Sequence, residues 1–60
     1  MVTIKISTAN EAFDSPGPEI ARILRHLANT VDSYGVLDGY TVKILDTNGN
    51  TVGSFKYTDK

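Results

Sequence analysis

Apolar and polar residues alternate at the start of the chain. Val2, Ile4 and Ile6 are separated by Thr3, Lys5 and Ser7, a period of two that predicts a strand with one apolar face needing cover. Thr8 to Asp14 is a connection whose single large apolar residue, Phe13, is expected to fold back onto the core. The period then changes. Ile20, Ile23, Leu24, Leu27, Ala28 and Val31 fall at i, i+3, i+4, i+7, i+8 and i+11, one continuous stripe of a 3.6-residue helix. Arg22, Arg25, His26, Asn29 and Thr30 fall elsewhere on the helix surface. Ser15-Pro16 suits its start, with the serine as N-cap and proline at the first position, where no hydrogen bond is lost. Glu19 sets negative charge near the positive end of the helix dipole, and Gly35 suits the residue just past the helix end. If Leu24 and Leu27 are both buried, truncating either to alanine costs about 2–5 kcal/mol.

Tyr40 to Leu45 predicts a second strand, with Tyr40, Val42 and Ile44 on one face. Asp46 to Asn50 follows, and its Asn48-Gly49 pair signals a hairpin because both residues tolerate positive φ. Thr51 to Tyr57 predicts a third strand whose phase is irregular. A bulge at Gly53-Ser54 would bring Val52, Phe55 and Tyr57 to one face. The order strand, helix, strand, strand gives an α+β fold over residues 1–60 as one domain. It is a βαββ unit with a three-stranded, mostly antiparallel sheet and one helix across one face. Placing the third strand in the middle makes every neighbouring pair antiparallel. The open face would carry Thr3, Lys5, Thr41 and Lys43, with Leu45 as an apolar exception.

Length and composition narrow this picture. At 60 residues a chain buries only roughly 60% of its unfolded surface. Cysteine is absent, which excludes disulfides and thiolate metal sites. Dense packing or association into a homodimer remains as the route to stability. Six basic against seven acidic side chains argue against a nucleic-acid partner, which normally demands a basic excess. No stretch approaches the ~20 apolar residues of a membrane span, and Met1 to Ser7 lacks the apolar run of a signal peptide, so a cytoplasmic protein is expected.

The chain shows no catalytic constellation, metal set or cofactor motif. His26 has no nucleophile or orienting carboxylate placed beside it by sequence, so it reads as a solvent-facing helix residue. Ser7, Ser15, Ser33 and Ser54 are explained as strand, cap and turn residues. Asp14, Glu19, Asp32, Asp38 and Asp46 do not follow calcium-loop spacing. Two prolines in Ser15–Pro18 remove the donors that a phosphate-cradling helix start requires. What remains is surface. Tyr34, Tyr40 and Tyr57 belong either to the core, hydroxyl outward, or to an aromatic contact patch. Arg22, Arg25 and His26 form either a solvated helix face or an anchor for an acidic partner.

The run Ile4 to Phe13, the helical run Pro16 to Ala28 and the spacing of Leu45, Asp46, Asn48, Gly49, Asn50, Val52 and Gly53 together resemble a family of short uncharacterised proteins encoded by phages and prophages. The resemblance spans nearly the whole chain and carries over no enzyme activity and no site residue. It implies a small non-enzymatic accessory protein that binds and inhibits or modulates a bacterial host or defence protein, in the manner of an anti-CRISPR. On the residues themselves, Arg22, Arg25, His26 and Asn29 on the helix, with Tyr34 at its end, are the candidate partner contacts. Two other readings stay open: an oligomeric binder of a signalling nucleotide, and a structural subunit of a phage particle.

Overall fold

Alternation at the chain start produces strand β1 (Val2–Ile6), and the 3.6-residue stripe produces helix α1 (Pro16–Tyr34). Strands β2 (Thr41–Leu45) and β3 (Thr51–Tyr57) complete the βαββ order. A single 3-10 turn, Glu11–Phe13, lies between β1 and α1 and starts from Asn10, whose side chain accepts the Ala12 N–H. The computed structural model describes residues 1–60. The sheet order is β1-β3-β2 with both pairs antiparallel, as expected from placing the third strand in the middle. Six residues form the core: Phe13, Ile23, Leu27, Ile44, Val52 and Phe55. Phe13 does fold back, and Tyr40 meets Phe55 edge to face with ring centroids 6.0 Å apart.

The details differ from the sequence expectations in four places, each with a physical reason. Ser15 occupies the N-cap position but makes no side-chain cap hydrogen bond. A cap hydroxyl is satisfied by the N–H two or three residues on, and the third is Pro18, which has none. The hairpin is not a two-residue Asn-Gly turn. Only Gly49 has positive φ, at 86°. Asp46 organises the loop, its Oδ1 accepting from the N–H of Asn48 at 2.8 Å and of Asn50 at 2.9 Å, an Asx-type turn. The bulge falls one residue before the expected Gly53-Ser54. Ile44 pairs with Gly53 and Leu45 with Thr51, so Val52 is the extra residue and still reaches the core beside Phe55. Gly53 occupies the close approach instead: a Cβ there would lie 1.7 Å from the Lys5 carbonyl oxygen.

The fourth difference concerns cover. The apolar stripe of α1 is wider than the sheet surface it meets. Ile23 and Leu27 are buried and Ile20 and Val31 partly so, but Leu24 stays 46% exposed and Ala28 is exposed. Glu19 is buried in their place. Arg22, His26 and Thr30 lie beside Val42, Lys43, Ile44 and Leu45 of β2. Successive helical residues rotate by about 100°, so Leu24 and Ala28 project from the opposite flank, on the β1 side. The helix therefore covers β2 and β3. It leaves Val2 and Ile4, 55% and 41% exposed, without the cover their alternation calls for.

Candidate functional site

Helix α1 positions all five candidate contacts, and the structure divides them. Arg22 is engaged inside the chain. Its Nε donates to Glu19 Oε1 at 2.7 Å and its Nη2 to Glu19 Oε2 at 3.0 Å and to the Leu45 carbonyl at 3.2 Å. This is the chain's one ion pair. It ties the first turn of α1 to the end of β2. Arg25, His26 and Asn29 are exposed one turn further along, with their side chains free. Tyr34, the last helical residue, is 82% exposed, and so is Leu37 just beyond it. Tyr34 thus stands on the surface, whereas Tyr40 and Tyr57 pack against the core. The aromatic set splits between the two readings open at the sequence level.

Two carboxylates that the sequence presents as ordinary surface charges are buried and fully bonded. Glu19 also accepts the Thr47 N–H at 2.8 Å. The Arg22 hydrogen bonds hold its carboxyl below the ordinary value against the opposing effect of burial, and the pairing raises the guanidinium in turn. Burial of Asp46 would raise its pKa. Hydrogen bonds from Asn50, Asn48 and Asn10 outweigh that, and the carboxyl titrates below its usual range. The Asn10 and Asn50 side-chain amides both donate to its Oδ2, at 2.8 and 3.1 Å. Asn10, Glu19, Arg22, Asp46, Thr47 and Asn50 therefore form one polar latch joining the β1–α1 connection, the helix and the hairpin. The signal that could have found half of it is the Glu19-Arg22 spacing of three on a helix. The partners across the chain carry no such signal.

The latch spends its carboxylate oxygens on structure. No group of three or more histidine, aspartate or glutamate side chains is disposed to hold a metal ion. The one cleft, between α1 and β2, is lined by Arg22, His26, Thr30 and Lys43 over Ile23, Leu27, Val42, Ile44 and Leu45. It measures about 290 Å³ counted out to open solvent, and its enclosed part is far below the ~300–1,000 Å³ of small-molecule pockets. The open sheet face carries Lys5, Ser54 and Lys43 in one cross-strand row and Thr3, Lys56 and Thr41 in the next. Leu45 is the half-exposed exception foreseen there. No helix is long and apolar enough to cross a membrane. No family model, no curated protein and no solved structure matches the chain.

Proposed function

We propose that this chain is a non-enzymatic binding protein, of phage or prophage origin, that inhibits or modulates a bacterial host or defence protein in the host cytoplasm. The observation that carries the binding role is the exposed outer face of α1 at Arg25, His26 and Asn29, together with Tyr34, exposed at the helix end on a different helical phase. Tyrosine and arginine are the residue types that most often anchor interfaces, and here they stand free of partners within the chain. Tyr34 and Leu37, each 82% exposed, lose contact with water only when something covers them. Arg25 on the outer face of the helix favours an acidic partner surface. Arg22 is held by Glu19 and the Leu45 carbonyl and, with its side chain still 43% exposed, completes the candidate contacts on the helix.

The test is capture of the partner with the tagged protein from bacterial lysate, followed by calorimetry with the purified pair. Tyr34→Ala or Arg25→Ala is expected to weaken binding by roughly 2 kcal/mol, the size of a true anchor. His26→Ala and Asn29→Ala map the outer face further. Parental affinity in all four variants would place the contact on another surface and overturn the assignment.

A further inference from the structure

The β1 edge is built to meet a second β1. Backbone hydrogen bonds run from Ser7 N–H to the Val52 carbonyl and from Thr58 N–H to the Met1 carbonyl. In an antiparallel ladder bonded positions alternate. The odd residues of β1 therefore face β3, and the N–H and C=O groups of Val2, Ile4 and Ile6 point outward along the free edge. The same residues carry the apolar side chains that α1 leaves uncovered, and Leu24 and Ala28 overhang them from the helix flank. Unpaired backbone and unburied apolar surface coincide in one strip, and nothing within the chain blunts it by a bulge, a proline or an inward charge.

We propose that two copies of this chain pair antiparallel through β1 about a two-fold axis normal to the sheet, centred on Ile4, giving one continuous six-stranded sheet. This register sets Ile4 opposite Ile4 of the second copy, Val2 opposite Ile6, and Thr3 opposite Lys5, so no lysine faces a lysine. It uses every outward group of the strand. The same axis brings both helices to one face, with Leu24 and Ala28 of each copy flanking an apolar trough floored by Val2 and Ile4. Surface area favours a second copy as the occupant. A monomer of 6.5 kDa should expose about 3,800 Å², and this chain exposes 4320 Å². An ordinary interface covers about 800 Å² per partner, so the excess of roughly 500 Å² is most of one subunit's share. The proposal is independent of the contacts at Arg25 and Tyr34 and stands or falls without them.

Sedimentation equilibrium of the intact chain over a wide concentration range is the first test, with a reversible monomer–dimer equilibrium expected. Ile4→Pro removes the outward N–H together with the isoleucine side chain that floors the trough, and is compatible with an edge strand. Leu24→Lys puts charge in the trough from an exposed helical position. Each is expected to raise the dimer dissociation constant at least about tenfold, with the circular dichroism of the dilute monomer unchanged. The chain has no cysteine, so one introduced thiol reports position. Directly opposed, bonded strand residues have Cα atoms about 5.5 Å apart, within disulfide range. Ile4→Cys is expected to cross-link under mild oxidation, and Lys43→Cys on the far strand is not. A parent that stays monomeric at every concentration overturns the proposal. So does a dimer indifferent to both Ile4→Pro and Leu24→Lys, or one that cross-links equally through Lys43→Cys.

Discussion

Replacing Gly53 with alanine tests how β1 is held. The added Cβ would sit 1.7 Å from the Lys5 carbonyl oxygen, 2.7 Å from its carbonyl carbon and 3.1 Å from the Ile6 Cα. An ordinary C···O contact needs about 3.3 Å, so β1 must retreat by about 1.6 Å. A ladder bond such as Ser7 N–H to the Val52 carbonyl, now 2.7 Å, stretched by that amount exceeds any hydrogen-bond distance. Losing two such bonds at about 1 kcal/mol each, plus part of the burial of Ile6 at about 1 kcal/mol, gives a cost near 3 kcal/mol. A domain of 60 residues has about 3–9 kcal/mol in total. The expected outcome is a chain that unfolds at much lower urea, or one whose first strand detaches while the helix and hairpin persist. Urea titration gives the magnitude. Hydrogen exchange at the Thr3 and Lys5 amides, which donate to β3, identifies the element. The control is Gly17→Ala in the first turn of α1, where an added Cβ meets nothing within 4 Å. It should stay close to the parent, the gain from restricting the unfolded chain being offset by the bias of a residue before proline away from the helix. If Gly53→Ala stays within about 0.5 kcal/mol of the parent with Thr3 and Lys5 still protected, the close approach does not exist.

Leu27→Ala, at a buried position, is expected to cost about 2–5 kcal/mol, and Leu24→Ala, half exposed and leaving no cavity, about 1 kcal/mol; equal costs in dilute urea titrations would contradict the tilt of α1. Ser15→Ala should leave stability within about 0.5 kcal/mol of the parent, against the ~1 kcal/mol of a working cap, and a full capping loss would show that the hydroxyl is used. Glu19 and Asp46 titrate below their ordinary 4.5 and 3.8 when folded, so the unfolded chain takes up their protons first as pH falls. Their contribution is complete above those ordinary values and disappears as pH falls through the lower folded ones. The urea midpoint should thus decline below about pH 4.5, less steeply in Glu19→Gln, and a flat profile down to strong acid would remove the latch from the account.

The architecture was legible where local pattern and tertiary need agree. The stripe from Ile20 to Val31, the alternation in Val2–Ile6 and the turn residues Asp46–Asn50 define the elements, and the lysines within the strands, Lys5, Lys43 and Lys56, fall on the open face. The direction in which α1 faces was not legible. A stripe spanning Ile23 to Ala28 marks which residues are able to be buried, and a sheet of three strands offers room for only part of it. Whether Leu24 or Glu19 takes the inner place depends on Arg22, Thr47 and the Leu45 carbonyl, and two of these lie more than twenty residues away. The bulge followed the same logic: the phase of Val52 against Phe55 required an extra residue, and the approach of Lys5 to Gly53 decided which one. Of the candidate contacts, Arg25, His26 and Asn29 follow from helical phase, whereas Tyr34 shares the phase of Ile23 and Leu27 and is exposed at the helix end. Arg22 lies on the flank beside Arg25, His26 and Asn29, yet its guanidinium is taken by Glu19, which the sequence marks only as a charge near the helix start.

Everything proposed for the surfaces depends on α1 resting over β2 and β3 with β1 bare. Methyl and aromatic nuclear Overhauser contacts report that placement directly, whatever the oligomeric state. The account predicts cross-peaks from the Ile23 and Leu27 methyls to Ile44, Val52 and the Phe55 ring. Cross-peaks from Ile23 and Leu27 to Val2 and Ile4, with none to Ile44 and Val52, would contradict it.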